Sequence, residues 1–384
     1  MIPVSDINML FKEVIGHKEI KEKLIRTVKD NRISHAQLFL GPEGSGNLAL
    51  VLAYAQYISC LDRKENDSCG KCLSCMKYSK LIHPDLHFVF PVTTTKEITK
   101  DPVSDDFINE WRMVVTENPY LTLFEWYESI GVENKQGIIS VKESNEIIRK
   151  LSLKTFESEY KIMVIWMPER MHPPAANKLL KILEEPYRNT VFLLISESTE
   201  HFLPTILSRT QILKVPGIDE ESLYLALKEK YDHPDEELRK ASRLADGNLA
   251  RAIEYVERSE ETKNNFDRFV SLMRLAYSKN MQGIFSWVEE VSAIGREKQK
   301  NFLLNGLRLI RGNYLLNMNN RDLVRLSDDE MEFSEKFSTF LNHHNAAEIT
   351  EELNKACLHI EANAYPRIVF LDLALKLMKQ IRKN

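Results

Sequence analysis

Two groups of residues in this chain have types and spacings suited to chemistry. The first is Cys60, Cys69, Cys72 and Cys75, clustered while the fifth cysteine, Cys357, stands far away. Four thiolates in a C-x8-C-x2-C-x2-C arrangement can close a tetrahedral zinc site, with Gly70-Lys71 and Leu73-Ser74 supplying the turns between ligands. The alternatives are four unligated thiols or redox chemistry at one of the overlapping CxxC pairs, and either leaves the full set unexplained. With sulfur in all four positions no coordination site stays open, so the metal would staple structure and activate no water.

The second group is Gly41-Pro42-Glu43-Gly44-Ser45-Gly46-Asn47-Leu48. It follows the apolar run Leu38-Phe39-Leu40 and leads into the helical pattern Leu48-Ala49-Leu50-Val51-Leu52-Ala53, the strand, turn and helix order of a phosphate-cradling loop. In a working loop, backbone N–H groups and the helix N-terminus hold phosphate, a Lys reaches the β- and γ-phosphates, and a Ser or Thr hydroxyl ligates magnesium. Here Asn47 offers no charge and Leu48 no metal ligand. Gly41, Gly44, Gly46, Asn47 and Leu48 therefore form a degenerate loop from which no productive nucleotide binding is expected; the plainer alternative is an ordinary Gly-rich turn.

These residues need elements to position them. Residues 16–32 read as an amphipathic helix with Ile20, Leu24, Ile25 and Val28 at helical spacing. The runs Ile162–Trp166 and Val191–Ile195, with His87–Phe90 as a further candidate, have the unbroken hydrophobicity of strands buried on both faces, which predicts an open parallel α/β sheet. Residues 92–136 hold scattered aromatics (Trp111, Tyr120, Phe124, Trp126, Tyr127) without a strand run, and read as an inserted helical excursion. After Pro216 three short helices are expected at about 219–230, 235–245 and 248–257, then long amphipathic helices from about 264 to the end. The expected organisation is a core over 1–216, a small helical lid over 217–262 and an all-helical domain suited to assembly over 263–384.

Length and composition bound the rest. With 384 residues and 43% hydrophobic content the chain is long enough for two or three cored domains. No apolar run spans a membrane, and Met1–Asp6 lacks the basic-then-apolar pattern of a signal peptide, so a cytoplasmic protein is expected. A net charge of -4 gives no general pull toward nucleic acid, so DNA contact would need local patches or partner subunits.

Several motifs then follow in order. They are Phe11-Lys12-Glu13-Val14-Ile15-Gly16-His17, Arg32-Ile33-Ser34-His35-Ala36-Gln37-Leu38-Phe39, the degenerate loop, the four cysteines, the run from Ala175-Ala176-Asn177-Lys178-Leu179-Leu180 to Glu184-Glu185-Pro186, and Leu203-Pro204-Thr205-Ile206-Leu207-Ser208-Arg209-Thr210. In this order they resemble the clamp-loader branch of the AAA+ proteins over nearly the whole chain, with Thr210 where the family usually has Cys. The resemblance implies an α/β AAA+ core with a parallel, P-loop-NTPase-like sheet, a helical lid and an all-α collar. It implies structural zinc on the four cysteines.

In hydrolytic relatives an acidic pair follows the apolar strand; the resemblance aligns it with Trp166 and Met167, leaving neither metal ligand nor base. Glu169 lies beyond, and is expected as a solvated carboxylate rather than a displaced substitute. The resemblance further implies that Arg209 reaches across a subunit boundary as an arginine finger toward ATP on a neighbour; its alternatives are capping the preceding helix or pairing with a carboxylate. Arg251 aligns with a nucleotide sensor of the lid and is equally well explained by a salt bridge; Ser196 aligns with another sensor and is expected to be a strand-end polar residue. ATP would not be hydrolysed by this chain, though it would serve the DNA-directed DNA polymerase holoenzyme. Implied partners are gamma/tau motor subunits, a delta subunit and, through the complex, the sliding clamp and primed DNA, with no membrane. Two rivals stay open: an ATP-hydrolysing motor subunit of the same machine, and a stand-alone zinc-containing nucleic-acid-binding protein.

Overall fold

The computed structural model describes residues 9–132, 135–200, 202, 204–257, 260–318, 320 and 323–381. The readings on Met1–Asp6, on Leu203 and on the last residues of the chain lie outside this set. The described residues divide into two compact units, one from 9–132, 137–242 and 246–252, the other from 135–136, 243–245 and the chain from 253 onward.

The first unit is built on a five-stranded sheet of β1 (Ala36–Leu40), β2 (Leu86–Val89), β3 (Lys161–Trp166), β4 (Thr190–Ser196) and β5 (Gln211–Lys214). Every pairing is parallel and the order is β2-β3-β4-β1-β5. β3 and β4 are buried along their full length, which is why the sequence gives them no polar alternation. β5 was not legible as a strand: Gln211 and Lys214 are exposed and only Leu213 is buried, as suits a strand at the sheet edge. The helices of this part are α1 (Lys18–Lys29), α2 (Asn47–Ser59), α3 (Leu73–Tyr78), α4 (Ile108–Glu117), α5 (Leu123–Ser129), α6 (Val141–Ser152), α7 (Pro173–Glu184), α8 (Pro204–Leu207), α9 (Glu220–Lys230), α10 (Asp235–Leu244) and α11 (Leu249–Glu257). This is the expected parallel α/β core with helical elements after it.

The register decides where chemistry could occur. Leu40 pairs with Ser196, and Trp166 with Ile195, so the carboxyl ends of β1, β3 and β4 meet at one edge. Because β1 lies between β4 and β5, the loop leaving β1 sits where the strand order reverses, the usual ligand crevice of an open α/β sheet. The helix after that loop, α2, is buried along its whole length, sandwiched so that no face needs to be polar.

The second unit is helical: α12 (Glu260–Ser278), α13 (Met281–Ser292), α14 (Arg296–Asn317), α15 (Asp328–Phe337), α16 (His343–Glu361) and α17 (Pro366–Gln380). Its own core gathers Phe269, Trp287, Phe302, Leu353, Ile360 and Phe370, with the Trp287 and Phe370 ring centroids 5.9 Å apart. Within it Arg308 and Glu330 form a nearly buried pair, Arg308 also donating to the Arg325 carbonyl. No helix among the described residues is long and apolar enough to cross a membrane.

Candidate functional site

The glycine-rich turn has the backbone of a phosphate loop and an interior filled by its own protein. Gly44 and Gly46 hold φ of +71° and +82°, a region glycine enters without strain. Gly41 N–H donates to the Ser196 carbonyl at 3.1 Å, tying the turn to the end of β4. The Asn47 amide nitrogen turns inward and donates to the Gly41 carbonyl at 3.0 Å, so the side chain at the lysine position closes the loop on itself. His17, whose pKa burial pushes down, lies with Nε2 at 2.6 Å from the Ser45 carbonyl and braces the loop from outside. Leu48 is buried, packing where a hydroxyl would have met a metal.

Two side chains that sequence reasoning did not assign to the site press on the glycines. A Cβ on Gly44 would come 2.1 Å from Asn248 Oδ1, and one on Gly46 would come 2.5 Å from Tyr120 Cε1. Asn248 is fixed by accepting the Arg251 N–H at 3.0 Å, and Leu249 N–H donates to the Gly44 carbonyl at 3.0 Å. Tyr120 is fixed by its hydroxyl, which accepts the Ile15 N–H at 2.8 Å. What remains over the loop is a cavity of about 30 Å³, lined also by Trp166, Met167, Ser196 and Glu197. Ligand pockets measure about 300–1,000 Å³, so this is space for water and not for a nucleotide.

At the acidic-pair position Trp166 stands 5.2 Å from Trp111, which stacks on Phe90 at 4.2 Å and meets Trp126 at 5.2 Å. Met167 adopts a left-handed backbone (φ 54°) at the strand end and is buried. Glu169 departs from the solvated carboxylate expected. Its Oε1 accepts the Glu197 N–H at 3.2 Å, Oε2 is buried without a hydrogen-bond partner among the described residues, and burial pushes its pKa up. The reason is the tight turn Pro168–Arg170, which folds the residue back against the end of β4. Ser196 is a strand-end polar residue, fully buried, its Oγ donating to the Ser198 carbonyl at 2.7 Å. No ion pair of the Arg251 side chain is found among the described residues.

Arg209 stands at the end of α8. Its Nη1 donates to the Thr205 carbonyl at 2.9 Å and to Ser208 Oγ at 3.1 Å, and its Nη2 lies 2.6 Å from Glu184 Oε1 at the end of α7. Both the helix-capping and the carboxylate-pairing alternatives are thus present within this chain. A guanidinium carries five N–H groups, and Nε–H and one Nη2 hydrogen of Arg209 have no partner among the described residues. The side chain keeps 34% of its surface exposed.

The four cysteines come together. Their Sγ atoms all lie within 4.8 Å of one another, and Cys69 and Cys75 Sγ are 3.9 Å apart. Zn–S bonds of ~2.3 Å set a tetrahedral edge of ~3.8 Å, so the set fits such an ion. The backbone fits as well: Cys69, Cys72 and Cys75 N–H groups point at the Sγ of Cys60, Cys69 and Cys72 at 3.3, 3.3 and 3.4 Å. Burial works to raise the Cys72 thiol, yet the Cys75 and Leu61 N–H groups and the neighbouring thiols bring it down to about 7. Burial instead raises Cys60 and Cys75. The cluster could hold a metal, with the third ligand, Cys72, capping the N-terminus of α3.

Comparison with known proteins places the chain in a family. A family model described as "DNA polymerase III, delta subunit" matches residues 16–219. The chain is 25% identical over 281 residues to the DNA polymerase III subunit delta' of Bacillus subtilis (strain 168), covering 73% of this chain and 70% of that one. It is 22% identical over 302 residues to the DNA polymerase III subunit gamma of Buchnera aphidicola subsp. Acyrthosiphon pisum (strain APS), covering 77% and 70%. Among solved structures, a DNA polymerase III gamma subunit-related protein of Thermotoga maritima MSB8 aligns over 94% of this chain and 99% of its own, at 16% identity and a TM-score of 0.39.

Proposed function

Because the chain belongs to the family described as DNA polymerase III, delta subunit, matched over residues 16–219 of 384, we propose that this clamp-loader-family subunit is the non-hydrolytic delta-prime arm of the machine that loads the sliding clamp onto primed DNA. One observation carries the reading. The Asn47 amide is turned back onto Gly41 while Trp166 and Met167 occupy the acidic-pair positions, around a cavity of only about 30 Å³. A site with no lysine, no metal ligand, no base and no room does not run an ATP cycle.

The remaining work is done in trans by Arg209. One bond to Thr205 in α8, one to Ser208 and one to Glu184 hold the guanidinium in place before a partner arrives, leaving donors free for phosphate oxygens. The Glu184 pair is partly exposed, and such pairs are worth about 0–1 kcal/mol, so a γ-phosphate displaces it at little cost. Charge stabilisation by such a finger is worth about 10³–10⁵ in rate in GTPases. Partners on this reading are gamma/tau motor subunits, a delta subunit and, through them, the clamp and primed DNA, in the cytoplasm. Cys60, Cys69, Cys72 and Cys75 hold a structural Zn²⁺ that cross-links residues 60–75 and takes no part in hydrolysis.

The test reconstitutes the loader with Arg209→Ala and with Arg209→Lys. Clamp- and DNA-stimulated ATPase at the neighbouring site should fall at least about 10³-fold in both, because Lys lacks the planar fork. Unchanged rates in an intact complex remove the finger role. The rival motor-subunit reading draws on the gamma-subunit similarity; magnesium-dependent ATP binding by the isolated chain at micromolar concentration would establish it instead.

A further inference from the structure

The role of the inserted stretch between β2 and β3 follows from what it touches. We propose that the segment carrying α4 and α5 is a built-in occupant of the old nucleotide site, with Tyr120 as its plug, so that nucleotide is excluded by occupation as well as by the missing lysine. Tyr120 sits in the Pro119-Tyr120-Leu121 turn between α4 and α5, and all three residues line the cavity over the loop. Its ring lies directly on Gly46, the N-cap of α2, where a phosphate would approach the helix N-terminus.

The plug is held at both ends. Ile15 N–H donates to the Tyr120 hydroxyl at 2.8 Å, and burial raises the phenol's pKa so that it stays a neutral acceptor. The helices on either side are anchored through Trp111 and Trp126, which close on Phe90 and Trp166, and Trp126 Nε1 donates to the Pro91 carbonyl at 2.9 Å. Trp166 thus has a positive use: the side chain that replaced an acid is the seat of the segment that fills the site. Electrostatics point the same way, for the cavity lining among the described residues includes Glu43 and Glu197 and no Lys, Arg or His, which opposes phosphate there.

The experiment uses the full chain and magnesium with methylanthraniloyl-ADP as the probe, and needs no loader. Asn47→Lys with Leu48→Thr, which restores the loop residues, should still show no saturable binding. Adding Tyr120→Ala should bring saturable binding at least about tenfold tighter. Equal affinity of the double and triple variants overturns the plug, and so does a triple variant that folds and still fails to bind. Should the triple variant not fold, hydrogen exchange on the otherwise native chain decides. Tyr120→Phe, which removes only the hydroxyl, should speed exchange of the Ile15 amide about fivefold and leave residues 41–48 unchanged. An Ile15 amide that exchanges at the native rate in Tyr120→Phe overturns the proposal.

Discussion

Asp85 accepts three successive backbone N–H groups, from Phe156, Glu157 and Ser158, at 2.6, 2.8 and 2.8 Å, and is itself buried. It holds the turn that leads into β3, much as a cap holds a helix end. Removing it strands three donors, so Asp85→Ala should cost about 3 kcal/mol in denaturant unfolding, and Asp85→Asn, which keeps one acceptor oxygen, about half of that. Arg209 belongs to the same scale but to a different regime. Its three bonds are at the surface, so Arg209→Ala should change the isolated chain's stability by less than about 1 kcal/mol while abolishing the stimulated ATPase. An equally large stability loss would make the residue structural. From sequence, the four cysteines were legible because spacing alone specifies them. The contact of Tyr120 with Gly46 was not, because it joins residues far apart in the chain and leaves no periodic trace in either segment.

Among elements, the strands were readable where burial on both faces demanded unbroken apolar runs, and unreadable at β5, where the edge position lets polar residues in. β2 carries a pH dependence. His87 is mostly enclosed, and burial together with Lys150 and Lys161 lowers its pKa to about 4 from the ordinary 6.5. The folded state therefore binds the proton less readily than the unfolded chain, and this contribution is present above about pH 6.5 and lost as pH falls toward 4. Glu143 at the start of α6, raised by burial to about 6, runs the other way and gains stability over the same descent. His87→Gln should thus remove on the order of 2–3 kcal/mol of acid sensitivity between pH 7 and 4.5, seen as a smaller shift of the urea midpoint than in the native chain. The cysteine module gives a separate test. On the proposed zinc reading, native mass spectrometry should find one zinc per chain in the native protein and none in Cys72→Ser or after a chelator, with residues 60–75 opened to protease while the protected amides of β3 and β4 keep their exchange rates.

At the scale of the molecule, each compact unit has a core of its own, and the helical one contains Trp287 as the sole representative of the four tryptophans. Residues 253–384 expressed alone should fold cooperatively, with Trp287 emission shifting to the red in a single urea transition. A gradual shift would mean that this core is not self-sufficient. The change from mixed strand and helix patterns to helices alone was legible in the sequence, whereas the partners of individual long helices were not, because an amphipathic face names no mate. The ring seat beneath the insertion has a consequence for reversion. Trp166→Asp, the smallest step back toward an acidic pair, would put a carboxylate beside Trp111 and leave a hole where an indole had been, while Tyr120 still covered Gly46. On the proposed reading the fillers therefore support one another, and Trp166→Asp alone would open no working site.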